Sequence, residues 1–178
     1  MYMRLIALIG LLFVSASASA DSKQDWIDFS DVGSTGLVVA ALAVPTYNAD
    51  WEGLKQSSLS VVTASGAALV GKALVSKTRP DGSDDKSFPS NHTSTSFGAA
   101  TTLAIRYGWQ AAIPAYTVAT LVGVGRIEAD RHHWEDVVAG AALGSLAGWI
   151  FTTPNDKQYT IVPWVDTKQA GVLVSMNW

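Results

Sequence analysis

The order of hydrophobic and polar positions divides the chain into a short leader, a series of helix-length apolar segments and an aromatic, β-branched tail. Leu5 to Val14 is an apolar run behind Arg4, and Ala18-Ser19-Ala20 follows just before Asp21. A positive start, a short apolar core and a small-residue cleavage site predict a secretory signal over residues 1–20. Asp21 to Thr35 is polar with Trp26, Ile27 and Phe29 interspersed, and reads as an N-terminal arm or short helix. Gly36 to Tyr47 is apolar and interrupted by Pro45. Asp50 to Ser76 reads as a long helix with Asp50 near its start, and the small residues Ala64 to Ala68 permit close approach of a neighbour. Pro80, Asp81-Gly82, Asp84-Asp85 and Pro89 make residues 79–89 a loop. Helices are expected over Thr93 to Tyr107, over Trp109 to Gly125 with Pro114 in its first turns, and over His132 to Phe151. In the tail, Tyr159 to Trp164 and Gly171 to Trp178 flank a turn-like Asp166-Thr167-Lys168-Gln169, the pattern of a β-hairpin whose first strand, carrying Pro163, is an edge. The expected fold is all-α, a helical bundle of about five or six helices over residues 21–153, with a short C-terminal β-hairpin in residues 154–178.

Composition narrows the classes of function. A chain of 178 residues makes one domain with a sizeable core. Its 48% hydrophobic and 15% charged residues are more apolar than an average soluble domain. A net charge of -3 gives no general pull toward nucleic acid, so no nucleic-acid partner is expected and the few cations matter by position. The absence of cysteine excludes disulfides, thiolate catalysis and thiolate metal sites. The apolar stretches 36–46, 59–71, 109–125 and 137–151 each fall short of the roughly 20 residues that cross a bilayer. A thin membrane-embedded bundle and a soluble one both stay open, as does the oligomeric state.

Only 12 Lys and Arg and 3 His are present, and several of them gather in three clusters. His132 and Asp136 are four apart, so on a helix they share a face. A carboxylate there can fix one imidazole nitrogen and leave the other as a nucleophile, and a surface ion pair is the plainer alternative. His133 and Glu135 point elsewhere and read as structural or rim residues. Ser90-Asn91-His92 follows the loop at a helix start. Ser90 or Asn91 would cap the helix, its N–H groups favour an anion, and His92 could protonate a leaving oxygen. A capped helix with an incidental His is the bland reading. Lys72, inside an apolar helix, needs an anionic partner or ligand, or else snorkels at the helix end. Arg79 and Arg126 can each grip phosphate oxygens with two parallel bonds.

Taken together, the spacings K-x6-RP from Lys72 to Pro80, P-S-N-H from Pro89 to His92, and R-x5-H-x3-D from Arg126 to Asp136 resemble the three-part signature of the type 2 phosphatidic acid phosphatase and vanadium haloperoxidase superfamily. The resemblance implies that His132 is the nucleophile of a phosphohistidine mechanism, that Asp136 orients it and that His92 is the general acid. It assigns Lys72, Arg79, Ser90, Asn91 and Arg126 to phosphate binding, and it implies no metal and no cofactor. The substrate implied is a phosphate monoester or diphosphate, above all a lipid phosphate such as phosphatidate, phosphatidylglycerol phosphate or an isoprenyl diphosphate. The place implied is the periplasm or the periplasmic face of the inner membrane, and the resemblance favours membrane association because lipid phosphates are the commonest substrates of that family. The alternatives are a soluble periplasmic acid phosphatase of broad specificity, a vanadate-dependent haloperoxidase and a non-catalytic envelope protein with an anion pocket. Two positions depart from the signature. Asn91 stands where glycine is usual, and a turn with positive φ is expected to persist there because Asn tolerates it. Gly125 stands where serine is usual, and a hydroxyl that could orient the site is lost. The short loop at 79–89 leaves little material for a lid.

Overall fold

The computed structural model describes residues 22–155, 159–165 and 170–176. The leader expected over residues 1–20 lies outside them. Among the described residues, five helices make the domain. Helix α1 (Lys23–Tyr47) is continuous where an arm and a separate apolar segment were expected. Its start is set by a capping box: the Asp25 N–H donates to Ser22 Oγ at 3.2 Å, and Ser22 N–H donates back to Asp25 Oδ2 at 3.1 Å. Pro45 falls in the last turn of α1, so the one bond its missing N–H forfeits lies at the helix end. Helix α2 (Trp51–Leu74) is capped by Asp50, whose Oδ1 accepts from Gly53 N–H at 3.0 Å. Helix α3 (Asn91–Tyr107) is capped by Ser90. Gly108, with φ of 77°, ends α3 and opens α4 (Trp109–Glu128), a conformation that favours glycine. Helix α5 (Trp134–Phe151) starts after His133. By length and composition α1 and α2, with 25 and 24 residues, are apolar enough to cross a membrane. The apolar runs seen in the sequence are shorter because polar flanks continue both helices.

Links alternate between the two ends of the bundle. The short ones, 48–50 and Gly108, join α1 to α2 and α3 to α4 at one end. The longer ones, 75–90 and 129–133, lie at the other. That end therefore collects the N-termini of α1, α3 and α5 and the C-termini of α2 and α4. The partial positive charge of helix N-termini favours an anion there. Helix α3 is central and touches all four other helices. The core joins Leu37, Ala41 and Val44 of α1 to Ala99 and Leu103 of α3 and to Ala115, Val118 and Val122 of α4.

Close packing of α3 on α5 rests on glycine. A Cβ at Gly144 would fall 2.0 Å from Ser94 O, and one at Gly140 would fall 2.5 Å from Ser90 O. These approaches align the starts of α3 and α5, and Ser90 N–H donates to Asp136 O at 3.0 Å. Beyond α5, strands β1 (Tyr159–Val165) and β2 (Ala170–Met176) pair antiparallel, with Pro163 opposite Val172.

Candidate active site

The link 129–133 decides where His132 sits. Helix α4 stops as Ala129 N–H bonds back to Gly125 O at 3.0 Å, and Asp130 takes φ of 54°. The chain doubles back, so the N–H groups of Arg131 and His132 both donate to Arg126 O, at 3.0 and 3.1 Å. His132 thus precedes α5 and shares no helical face with Asp136, contrary to the spacing argument. Its Nδ1 lies 2.7 Å from Ser87 O. A carbonyl only accepts, so Nδ1 carries the hydrogen and Nε2 keeps the lone pair. Nε2 makes no hydrogen bond to a described residue. His132 is 2% exposed. Burial first, and then Lys72, Arg126 and Arg79, hold its pKa down to about 3, so the imidazole is neutral at ordinary pH.

Asp136 does not orient His132 directly, since Oδ2 stands 4.0 Å from Nδ1, beyond hydrogen-bond reach. Fully buried, it accepts instead from Lys77 Nζ at 2.7 Å, from Ser87 Oγ at 2.5 Å and from His133 N–H at 2.9 Å. Its influence on His132 runs through Ser87, whose hydroxyl it holds and whose carbonyl holds the ring. Burial pushes the Asp136 carboxyl up, but the bonds from Lys77 and Ser87 outweigh it and leave the pKa below the usual carboxylate value. His133 caps α5 through its N–H, and Glu135 lies 3.9 Å from Lys77, so both keep the structural or rim roles expected of them.

The three expected cations reach the same end. Lys72 lies in the last turn of α2 and donates to Lys86 O at 2.5 Å. Beside it, a Cβ at Gly71 would meet Pro89 Cδ at 2.6 Å, a closeness that draws α2 against the link. Arg79 donates from Nε to Asp84 Oδ1 at 2.6 Å and from a terminal nitrogen to Arg131 O at 3.3 Å. Arg126 reaches Asp31 Oδ1 at 2.8 Å and Ser30 Oγ at 3.1 Å, while its buried Nε has no partner among the described residues.

At the start of α3 the expectations need correcting. Ser90 is fully buried: its N–H goes to Asp136 O, and its hydroxyl accepts from Thr93 Oγ1 at 2.9 Å. It positions α3. Asn91 is the first residue of α3 and does not take the positive φ anticipated for it, because Ser90 already caps the helix and no sharp turn is required. Its Oδ1 accepts from Ser65 Oγ at 3.2 Å and ties α3 to α2. His92 Nε2 lies 3.1 Å from Asp31 Oδ1. Burial, followed by Arg126, lowers the His92 pKa to about 4, against the pull of Asp31.

Gly125 has a packing reason. A Cβ there would come within 3.2 Å of Ser30 Cβ and 3.3 Å of Trp26 O, so glycine lets α1 lie against α4. The hydroxyl counted as lost at that position comes instead from Ser30, which accepts from Arg126. Lys77, Ser87, Ser30 and Asp31 are the site residues that sequence reasoning missed. No local signal marks them, for their partners lie 45 to 96 positions away.

Comparison with known proteins bears on this arrangement. Residues 67–159 of the 178 match the family model of the PAP2 superfamily. The chain is 36% identical over 134 residues to the lipid A 1-phosphatase of Porphyromonas gingivalis, a match covering 69% of this chain. It spans only 29% of that relative's length. Among solved structures, LpxE of Aquifex aeolicus superposes with a TM-score of 0.62 at 23% identity, covering 83% of this chain and 92% of that one. The PAP2-type phosphatidylglycerolphosphate phosphatase of Bacillus subtilis gives 0.52 at 20% identity, with 85% and 94% covered. These two likenesses are of fold. The family match takes in all three clusters, from Lys72 to Asp136, and on that match the chain belongs to the PAP2 superfamily.

Proposed function

We propose that the protein is a phosphoric-ester hydrolase that removes phosphate from a phosphorylated lipid through a phosphohistidine on His132. One observation carries the reading: a buried, neutral imidazole has its Nδ1–H pinned by the Ser87 carbonyl and its Nε2 unbonded, beside three cations. In the first step the Nε2 lone pair bonds to phosphorus and the bond from phosphorus to the leaving oxygen breaks. The leaving oxygen takes its proton from His92. Water then attacks phosphorus, the phosphorus–nitrogen bond breaks, and His92 takes the water's proton. Lys72, Arg79, Arg126 and the first N–H groups of α3, at Asn91 and His92, stabilise charge on the other phosphate oxygens. The unpartnered, buried Nε of Arg126 supports an anion at that point.

The surface supports a lipid as substrate and a membrane as setting. Val62, Leu69 and Val70 of α2 and Ile150 of α5 are exposed. Trp51, Trp109 and Trp149 are exposed at the bundle end away from His132, and Trp134 at the near end. Exposed tryptophans at two levels suit the two interfaces of a bilayer. The name of the Porphyromonas gingivalis relative supports a lipid phosphate as substrate. Export by the leader belongs to the same proposal, and N-terminal sequencing of the membrane-bound protein should find Asp21 first. So does the C-terminal hairpin as an element apart from the site: truncation after Asn155 should leave phosphate release intact.

The deciding assay is phosphate release in chelator from phosphatidate, phosphatidylglycerol phosphate, an isoprenyl diphosphate, a lipid A phosphate and soluble esters. Release from a lipid is expected, with His132→Ala lowering kcat by about 10³-fold or more. Unchanged release in His132→Ala would overturn the reading. A preference for soluble esters, with the protein in the soluble fraction, would overturn its lipid part.

A further inference from the structure

Asp31 lies on α1, outside all three clusters, yet its Oδ1 joins two of them. It stands 2.8 Å from a terminal nitrogen of Arg126 and 3.1 Å from His92 Nε2. The backbone is built to put it there. Gly125 lets α1 lie against the end of α4. Three residues after Asp31, Ser34 Oγ lies 3.3 Å from His92 O and 3.2 Å from Thr95 Oγ1, which docks α1 on the first turn of α3. The charges facing His92 from the other elements are Arg126 of α4, Lys72 of α2 and Arg79 of the link 75–90, and all three disfavour its proton. Among the described residues no other carboxylate lies within ion-pair distance of the His92 ring.

We propose that Asp31 is the positioning residue of the general acid: its carboxylate holds His92 against Arg126 and raises the fraction of His92 that carries the proton the leaving oxygen takes. The proposal rests on the phosphatase reading above. In this scheme only the proton on His92 moves. The same carboxylate shares Arg126 with an incoming phosphate and so opposes its binding. Asp31 is half-exposed, which leaves it free to swing away from Arg126 when phosphate arrives. Its removal therefore has two signatures of opposite sense. Turnover falls because His92 loses its counter-charge, and KM falls because a competing anion is gone.

The test compares Asp31→Asn, nearly the same shape without the charge, with Asp31→Glu, which keeps it. With three His in the chain, the His92 ring can be followed by NMR titration of the ligand-free protein, with His92→Gln to assign it. The His92 midpoint is expected to fall by about one pH unit in Asp31→Asn, and to return toward the wild-type value in Asp31→Glu. In turnover, Asp31→Asn should lower both kcat and KM and move the alkaline limb of kcat to lower pH, because an acid of lower pKa loses its proton sooner. A merely structural residue would not lower KM. If His92 titrates alike in all three proteins, or if Asp31→Asn turns over normally while His132→Ala is inactive, the proposal for Asp31 is overturned and the phosphatase reading stands. If the wild type releases no phosphate from any ester, the phosphatase reading fails and takes the acid role with it, even where the titration shift is seen.

Discussion

Lys77→Met tests the route by which Asp136 reaches His132. The substitution keeps much of the side-chain volume and removes the ammonium 2.7 Å from a carboxylate that is fully buried. At an effective dielectric constant of ~20, two unit charges at 2.7 Å attract by roughly 6 kcal/mol. Dehydration of the ammonium offsets part of this, and breaking a buried pair costs about 3–5 kcal/mol in practice. The Lys77 side chain is 29% exposed, which argues for the lower end, about 3 kcal/mol. The expected fall in Tm is about 6–12 °C for a chain of this size. The assay is thermal unfolding of wild type, Lys77→Met, Asp136→Asn and the double variant. Because the two side chains act on one another, the double variant should lose little more than either single one, a coupling of about 2 kcal/mol. The effect of pH has a definite sign. The folded Asp136 pKa is lowered, so its stabilisation is present above the unfolded carboxylate pKa of about 4 and is lost as pH falls through the folded value. Without Lys77 the folded pKa rises, so the deficit of Lys77→Met should narrow toward acid pH as Asp136 takes up a proton. Additive losses, or a deficit that does not change with pH, would refute the ion pair as the support of Asp136.

Three further outcomes are expected. Gly144→Ala sets a Cβ 2.0 Å from Ser94 O and 2.8 Å from Gly98 N, so it should force α3 from α5 and cost about 3 kcal/mol or more in unfolding experiments, whereas Gly66→Ala, with nothing within 4 Å, should be neutral or stabilising by about 0.5–1 kcal/mol. His132, with its pKa near 3, and His92, near 4, are neutral when folded at pH values where the unfolded chain is protonated, so Tm should fall as pH drops from about 6.5 toward 3, less steeply in His132→Gln. Asp50→Asn removes the charge that faces Arg106, at 2.5 and 2.7 Å, and leaves one acceptor oxygen where Arg106 and Tyr107, at 2.9 Å, now use two; it should lower Tm yet leave kcat/KM unchanged at temperatures where the variant is folded, because the cluster lies at the bundle end away from His132.

Much of the fold was legible because helix signals are local. Asp50 as a cap, the breakers between Pro80 and Pro89, and Gly108 between two apolar runs mark boundaries through backbone chemistry within a few residues of each. The continuity of α1 was not legible, since its polar first half looks like an arm until Ser22 and Asp25 close their capping box and α3 and α4 cover its inner face. The clusters themselves were plain from residue type and spacing. Their internal connections were not, because a side chain's partner depends on how distant links fold back. The reversal at Asp130 carries His132 off the helix that was to hold it beside Asp136, and the Ser87 carbonyl takes the imidazole instead. Glycines at 125, 140 and 144 draw α1, α4, α3 and α5 to distances that no pattern of hydrophobic positions expresses. The sequence by itself thus determined a bundle of about five or six helical segments and which residue types converge at one end of it. Only the tertiary structure decided which atom of His132 is held, that Lys77 and Ser87 secure Asp136, and that Asp31 stands between Arg126 and His92, because such contacts form only when elements far apart in the chain are packed together.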